Sequence, residues 1–188
     1  MHTLTKCLSK STPVFFSSTD KVYSGQIKPN EKINLTKPKS YHGEVKLECE
    51  KILSIHTKNF FIFRQSVVHG EGNFKRNTEL AGGGSFIDFA IDKLQNKESI
   101  NAYANIKRCF LHIDQLITIY SMLIDSKSYG IYNIGSEVTT YFDRIKNICI
   151  KKNILTENFL HPVIGKEDPS VQDVDQKKFE NTFKIKMN

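Results

Sequence analysis

Two short runs in this chain contain no polar side chain: Val14-Phe15-Phe16 and, further on, Phe60-Phe61-Ile62-Phe63. A strand with one face in water alternates apolar and polar residues. An uninterrupted apolar run suits a strand covered on both faces, the condition of a parallel sheet under helices. Between the two runs, the stretch from Ser40 through Val45, Leu47, Ile52 and Leu53 is dominated by good helix formers from Glu44 to Lys51. Strand, helix, strand in this order specifies a crossover unit with parallel strands. The first run passes straight into Ser17-Ser18-Thr19-Asp20. Hydroxyl groups therefore mark the carboxyl end of a strand, where open α/β sheets place their ligands.

Ahead of the first strand, Leu4 and Leu8 stand at helical spacing and Pro13 closes the segment. Residues 26–39, with Pro29, Asn30, Asn34 and Pro38, read as a loop. After Arg64, Val67 and Val68 run toward Gly70 and Gly72, and the polar, glycine-rich stretch from Phe74 to Ser85 ends in Gly82-Gly83-Gly84. Those three glycines neither follow a strand nor keep the Gly-x-Gly-x-x-Gly spacing of a phosphate-cradling turn. They introduce a helix, with Ser85 and Asp88 spaced as a capping box ahead of Ala90 and Leu94. Phe110-Leu111-His112-Ile113 leads into an apolar-periodic segment through Leu116, Ile119 and Leu123, and Gly130 to Gly135 reads as a further strand. Ser136 or Glu137 is expected to open a helix carrying Phe142, Ile145 and Cys149. The charged tail from Glu167 to Asn188, with its late Phe179, Phe183 and Ile185, is expected to be extended or irregular and tied down at its end.

Composition narrows the function classes. A hydrophobic fraction of 39% and a charged fraction of 25% are those of an ordinary globule, and no window approaches the roughly 20 apolar residues of a membrane span. The start, Met1-His2-Thr3-Leu4-Thr5-Lys6, lacks the apolar core of a signal peptide, so a cytoplasmic location is expected. Cys7, Cys49, Cys109 and Cys149 form no Cys-x-x-Cys pair, which leaves reduced thiols and no metal site. The net charge of +7 comes from lysines scattered among acids rather than from a dense basic run. It reads as a solvated surface, and no nucleic-acid partner is expected.

Five blocks then occur in order: Ser18-Thr19-Asp20-Lys21-Val22-Tyr23-Ser24-Gly25, Gly43-Glu44-Val45-Lys46-Leu47-Glu48-Cys49-Glu50, Arg64-Gln65-Ser66-Val67-Val68-His69-Gly70, Arg108-Cys109-Phe110-Leu111-His112-Ile113-Asp114 and Tyr132-Asn133-Ile134-Gly135-Ser136. Their order and spacing resemble the extended short-chain dehydrogenase/reductase family of nucleotide-sugar epimerases, dehydratases and reductases. The Ser-Thr-Asp block is most similar to its dehydrorhamnose reductase branch. The resemblance implies an α/β architecture, part of a doubly wound Rossmann fold for NAD or NADP plus a small α/β domain for a nucleotide sugar. Residues 1–68 and 109–135 would form the Rossmann part, and 69–108 and 136–188 the substrate domain.

In that family the catalytic set is a Ser or Thr after the strand, a Tyr, and a Lys four residues beyond the Tyr. The Lys lowers the Tyr pKa and holds the nicotinamide ribose, the Tyr exchanges a proton with the sugar oxygen, and the hydroxyl orients that oxygen. Thr19 and Lys46 match the outer roles. The position four before Lys46 holds His42, with Tyr41 as the alternative. On a helix Tyr41 sits about 140° around from Lys46, and His42 about 40°. The resemblance further implies cofactor contacts from Ser17, Ser18, Lys46, Arg64, Gln65, Ser66 and Val67, and a substrate diphosphate contact from Arg108, a task suited to a bidentate guanidinium. His112 and Asp114 are expected to fix a strand-to-helix corner.

The family's glycine-rich turn, the helix after it and the residue that reads the ribose have no counterpart in this reading, which makes the chain an N-terminally truncated member. The expected function is that of an NAD(P)-dependent nucleotide-sugar reductase, epimerase or dehydratase using Thr19, His42 and Lys46, impaired because the dinucleotide-binding half is missing. A non-catalytic binding or regulatory subunit of the same fold, and a non-functional gene fragment, are the alternatives. A parallel sheet deprived of its first strands exposes an edge, so pairing in an oligomer or with a complementing chain is expected.

Overall fold

The structure is a computed structural model that describes residues 1–9, 11–23, 25–32, 35–70, 85–166 and 173–186. The glycines at 82–84 lie outside the described residues. A short helix, α1 (His2–Cys7), leads to β1 (Val14–Thr19), then α2 (Tyr41–His56) and β2 (Phe60–Gln65). The strands run parallel, with Val14 opposite Phe60 and Thr19 opposite Gln65, so the crossover unit is formed. On the far side of β2, β6 (Gly130–Ile134) is also parallel. The sheet order β1-β2-β6 explains the apolar runs. Central β2 buries Phe60 through Phe63, whereas β1, with no strand on its outer edge among the described residues, is half-buried from Val14 to Ser17.

Two helices sandwich this sheet. On one side, α2 brings Leu53 against Phe60 and Ile62. On the other, α4 (Ile113–Leu123) brings Leu116, Ile119 and Leu123 against Phe61 and Phe63. A second core lies beyond. There β3 (Val67–His69) pairs parallel with β5 (Lys107–His112), and β7 (Val138–Thr140) pairs antiparallel with β5. Next to them β4 (Ile100–Tyr103) pairs parallel with β8 (Leu160–Val163). Ile87, Ala90 and Leu94 of α3 (Phe86–Gln95) meet Phe110, Ile145 and Cys149 there, the last two from α5 (Tyr141–Lys151).

Two expectations are corrected. The helix after Gly135 begins at Tyr141 rather than at Ser136 or Glu137. Val138-Thr139-Thr140, β-branched throughout, first makes β7, and the Thr140 hydroxyl then caps α5 by accepting from the Asp143 amide at 3.0 Å. Within the tail, residues 177–183 are helical rather than extended or irregular: α6 (Lys177–Phe183) places Phe179 and Phe183 one turn apart. Both rings pack on Tyr132, with centroids 6.1 and 5.1 Å away. Burial of Phe179 supplies what so short a helix lacks by itself. The C-terminal segment thus returns to the first sheet.

Candidate functional site

Thr19 ends β1 and is 7% exposed. Its hydroxyl donates to the Asp20 carboxylate at 3.3 Å and accepts the Lys21 amide at 3.3 Å, so it caps the turn that follows the strand. Asp20 is itself buried. Burial raises its pKa, opposed by the Ser66 hydroxyl, the Arg108 charge, Thr19 and Lys21. Helix α2 comes alongside this turn because Ser40 caps it, accepting the Gly43 amide at 3.2 Å, and because Gly43 has no side chain. A Cβ on Gly43 would stand 2.6 Å from the Lys21 carbonyl oxygen and 3.1 Å from the Pro38 Cβ. Gly43→Ala is therefore expected to cost about 1–3 kcal/mol by overpacking, as read from the urea midpoint. An unchanged midpoint would show that helix and turn do not depend on this contact.

One turn further along α2, Lys46 donates from Nζ to the Ser17 carbonyl oxygen at 2.8 Å and lies 5.0 Å over the Phe16 ring. The ammonium group and Thr19 are thereby brought to the same end of β1, one from the helix and one from the strand. His42, a turn before Lys46, is exposed. Partial burial, then the charges of Lys21 and Lys46, hold its pKa below the ordinary 6.5, so the imidazole is neutral at pH 7. Tyr41 lies on the outer face of α2, 81% exposed. In an NMR titration His42 should have its midpoint below 6.5. Lys46→Ala or Lys21→Ala should raise that midpoint, because removing a cation favours the protonated ring; a midpoint that neither change moves would contradict the placement.

The remaining predicted residues are distributed between the interior and the strand ends. Ser17 pairs its hydroxyl with the Tyr120 hydroxyl at 2.8 Å, and Ser18 donates to Glu50 at 2.5 Å. Arg64 is fully buried: its Nη2 meets Glu50 at 2.6 Å and its Nη1 donates to the Tyr23 hydroxyl at 2.8 Å. Gln65 Oε1 and Ser66 Oγ, at the end of β2, are buried with no hydrogen-bond partner. Ser66 faces Asp20 outside good bonding geometry. Val67 packs into the α3–α5 core. Arg108 is 5% exposed, donates to the Lys107 carbonyl at 3.1 Å and acts electrostatically on Asp20. The structure thus gathers Thr19, Lys46 and His42, with Ser66 and Arg108 around Asp20, and sends Ser18 and Arg64 inward.

With this geometry in view, a sequence-family model described as the RmlD substrate binding domain matches residues 2–186. The chain belongs to the RmlD substrate-binding domain family. No protein of curated function matches it in sequence. Solved structures resemble this RmlD-family chain in fold. A dTDP-4-dehydrorhamnose reductase from Bacillus anthracis, solved in complex with NADP, has a TM-score of 0.76 at 18% identity over 94% of this chain. A dTDP-glucose 4,6-dehydratase from the same organism, in complex with NAD, has a TM-score of 0.76 at 17% identity over 100% of it. A UDP-N-acetylglucosamine 4-epimerase from Methanobrevibacter ruminantium, in complex with UDP-N-acetylmuramic acid, has a TM-score of 0.71 at 20% identity over 94%. The chain spans 61%, 61% and 57% of those three proteins.

Around this RmlD-family site lie further groups that were not predicted to touch substrate or cofactor, among them His112, expected from the sequence to fix a strand-to-helix corner. Tyr23 donates to Asn133 Oδ1 at 2.8 Å, and burial pushes its pKa up to about 12, so it stays a neutral donor. Asn133 in turn holds the Pro29 and Asp175 carbonyls at 3.0 Å each. His69 Nε2 accepts from Arg144 Nη2 at 2.8 Å, and burial, then the charges of Arg144 and His112, push its pKa down to about 4. His112 caps α4 through Nδ1 while Gln115 returns a bond to its amide, making the corner between β5 and α4. Among the described residues no group of three or more His, Cys, Asp or Glu could hold a metal ion, and no helix is long and apolar enough to cross a membrane.

Proposed function

We propose that this chain binds a nucleotide sugar at the carboxyl end of β1 and keeps the proton-handling part of extended short-chain dehydrogenase/reductase chemistry, with hydride transfer impaired. The observation that carries this reading is the convergence of Thr19 and Lys46 on one strand end with a neutral His42 a turn away. Thr19 orients the reacting sugar oxygen, and His42 takes or returns its proton. Partial burial, then the charges of Lys21 and Lys46, keep the imidazole in the neutral form that can accept a proton near pH 7.

In this family NAD or NADP, when bound, supplies or removes the hydride. The residues present fit only part of such a cofactor. Lys46, with the unpartnered Gln65 Oε1 and Ser66 Oγ, offers polar groups for the nicotinamide end. The diphosphate end has no match: Gly-x-Gly-x-x-Gly occurs nowhere in the 188 residues, and the Arg64 guanidinium is committed to Glu50 and Tyr23. A complementing chain along the outer edge of β1 is the natural source of the rest. A non-catalytic binding or regulatory role is the second reading, favoured by a histidine in the tyrosine position. Calorimetric titration with UDP-glucose and dTDP-glucose tests the shared claim. Saturable binding that Thr19→Val weakens is expected, and no heat with either sugar nucleotide would overturn it.

A further inference from the structure

The strand end that carries Thr19 is more positive than a neutral sugar requires. Lys21 follows Thr19 by two residues, its amide held by the Thr19 hydroxyl at 3.3 Å, and its side chain is exposed. The Lys21 carbonyl lies against α2 where Gly43 admits it, which sets Lys21 beside His42, the neighbour of Gly43. Its charge reaches both sides of the site. After burial, it is the first of the charges that lower the His42 pKa, ahead of Lys46. It also acts with Arg108 on Asp20, against the burial that raises that carboxyl. Lys46 stands a turn along α2, with one of its three donors on the Ser17 carbonyl. The other acids nearby have cations of their own: Glu50 meets Arg64 at 2.6 Å and Asp173 meets Lys28 at 3.1 Å. Glu44 and Glu48 lie about 160° around the helix from Lys46, on the far flank of α2. Among the described residues the balance at this strand end is thus Lys21, Lys46 and Arg108 against Asp20.

We propose that the nucleotide sugar bound here carries a carboxylate on its sugar ring, as in a nucleoside-diphosphate uronic acid, and that Lys21 is the residue that selects it. The inference rests on the reading that a sugar nucleotide binds at the end of β1. Thr19 sets where the reacting sugar oxygen sits, and Lys21 is within one side chain's reach of that hydroxyl. Its ammonium group therefore meets a substituent of the sugar ring rather than the diphosphate, whose candidate contact is the Arg108 guanidinium beyond Asp20. A neutral hydroxymethyl group beside Lys21 displaces water from the ammonium and returns one weak acceptor. A carboxylate replaces that water with an opposite charge and a charge-assisted hydrogen bond. Lysine suits the task, because a compact charge on a flexible stem follows the carboxylate without demanding bidentate geometry. The bound anion also offsets the charge that Lys21 places on His42, so the imidazole becomes a stronger base as this substrate arrives.

Calorimetric titration of the full chain with UDP-glucuronic acid, UDP-glucose and UDP tests this, in the wild type and in Lys21→Met, Lys21→Arg and Lys51→Met, each checked for its fold by circular dichroism. The wild type should bind UDP-glucuronic acid about tenfold more tightly than UDP-glucose. Lys21→Met should abolish that preference and Lys21→Arg should keep most of it. Lys51→Met, which removes the same charge from the far flank of α2, should leave it in place. By NMR, UDP-glucuronic acid should raise the His42 midpoint further than UDP-glucose does. Equal affinity of the wild type for the two sugars, a preference that Lys21→Met leaves intact or that Lys51→Met also removes, or equal shifts of His42 would each overturn the uronate assignment. So would an equal loss for all three ligands in Lys21→Met, which would put Lys21 on the diphosphate. All of these leave the sugar-nucleotide reading standing, whereas no heat from any of the three ligands overturns both.

Discussion

Glu50→Ala is expected to lower the unfolding free energy by about 3–5 kcal/mol, the usual cost of stranding one member of a buried ion pair. Arg64 has no exposure, and the two nitrogens that meet Glu50 have no water to turn to once the carboxylate is gone. Ser18 loses its acceptor in the same step. Because a domain of this size is stable by only about 5–15 kcal/mol, the loss brings it close to unfolding at ambient temperature. The pair itself contributes much less than its rupture costs. Replacing both members by apolar residues of similar volume, Glu50→Leu with Arg64→Met, is expected to recover most of the loss. Urea denaturation of the two variants separates the cases. A shift under about 1 kcal/mol for Glu50→Ala would mean that the carboxylate is not the partner the geometry assigns.

Phe61→Ala should cost a similar amount, about 3–5 kcal/mol, through lost burial and the cavity left behind. Phe61 has no exposure and sits on the central strand, where its ring lies 4.9 Å from Phe15, 5.2 Å from Tyr129 and 6.1 Å from Phe63. The rings come from β1, β2 and the segment before β6, so the cavity opens where the parts of the sheet join and cannot close by moving one side chain. Ile27→Ala, at a position 98% exposed, is the control and should change stability by less than about 0.5 kcal/mol. Equal effects at the two positions would contradict the core as described.

Much of this fold is legible in the residues because its central strand is extreme. Phe60-Phe61-Ile62-Phe63 has no polar position for water to meet, so it could only be interior, and the helix formers before it fix a parallel crossover. Thr19 and Lys46 could be read for the same reason, one ending a strand and the other a turn into a helix. Other features were hidden because they depend on distant partners. Ile100–Tyr103 is four residues long, and only its pairing with Leu160–Val163 makes it a strand. The tail helix depends on Tyr132 to receive Phe179 and Phe183. Glu50 reads by type as a solvated helix residue, and nothing local shows that Arg64 of the neighbouring strand draws it inside. Helix geometry alone sets His42 nearer the Lys46 flank than Tyr41, and in the structure Lys46 acts on His42 from one turn away while Tyr41 is 81% exposed.

The proposed function gives this chain a sugar-side site without the groups to hold a dinucleotide alone. Titration of the purified chain with NADPH, followed by nicotinamide fluorescence, tests it most directly. The prediction is no saturable binding below about 1 mM, an affinity weaker than roughly −4 kcal/mol. Tight stoichiometric binding of NADPH by these 188 residues would contradict it.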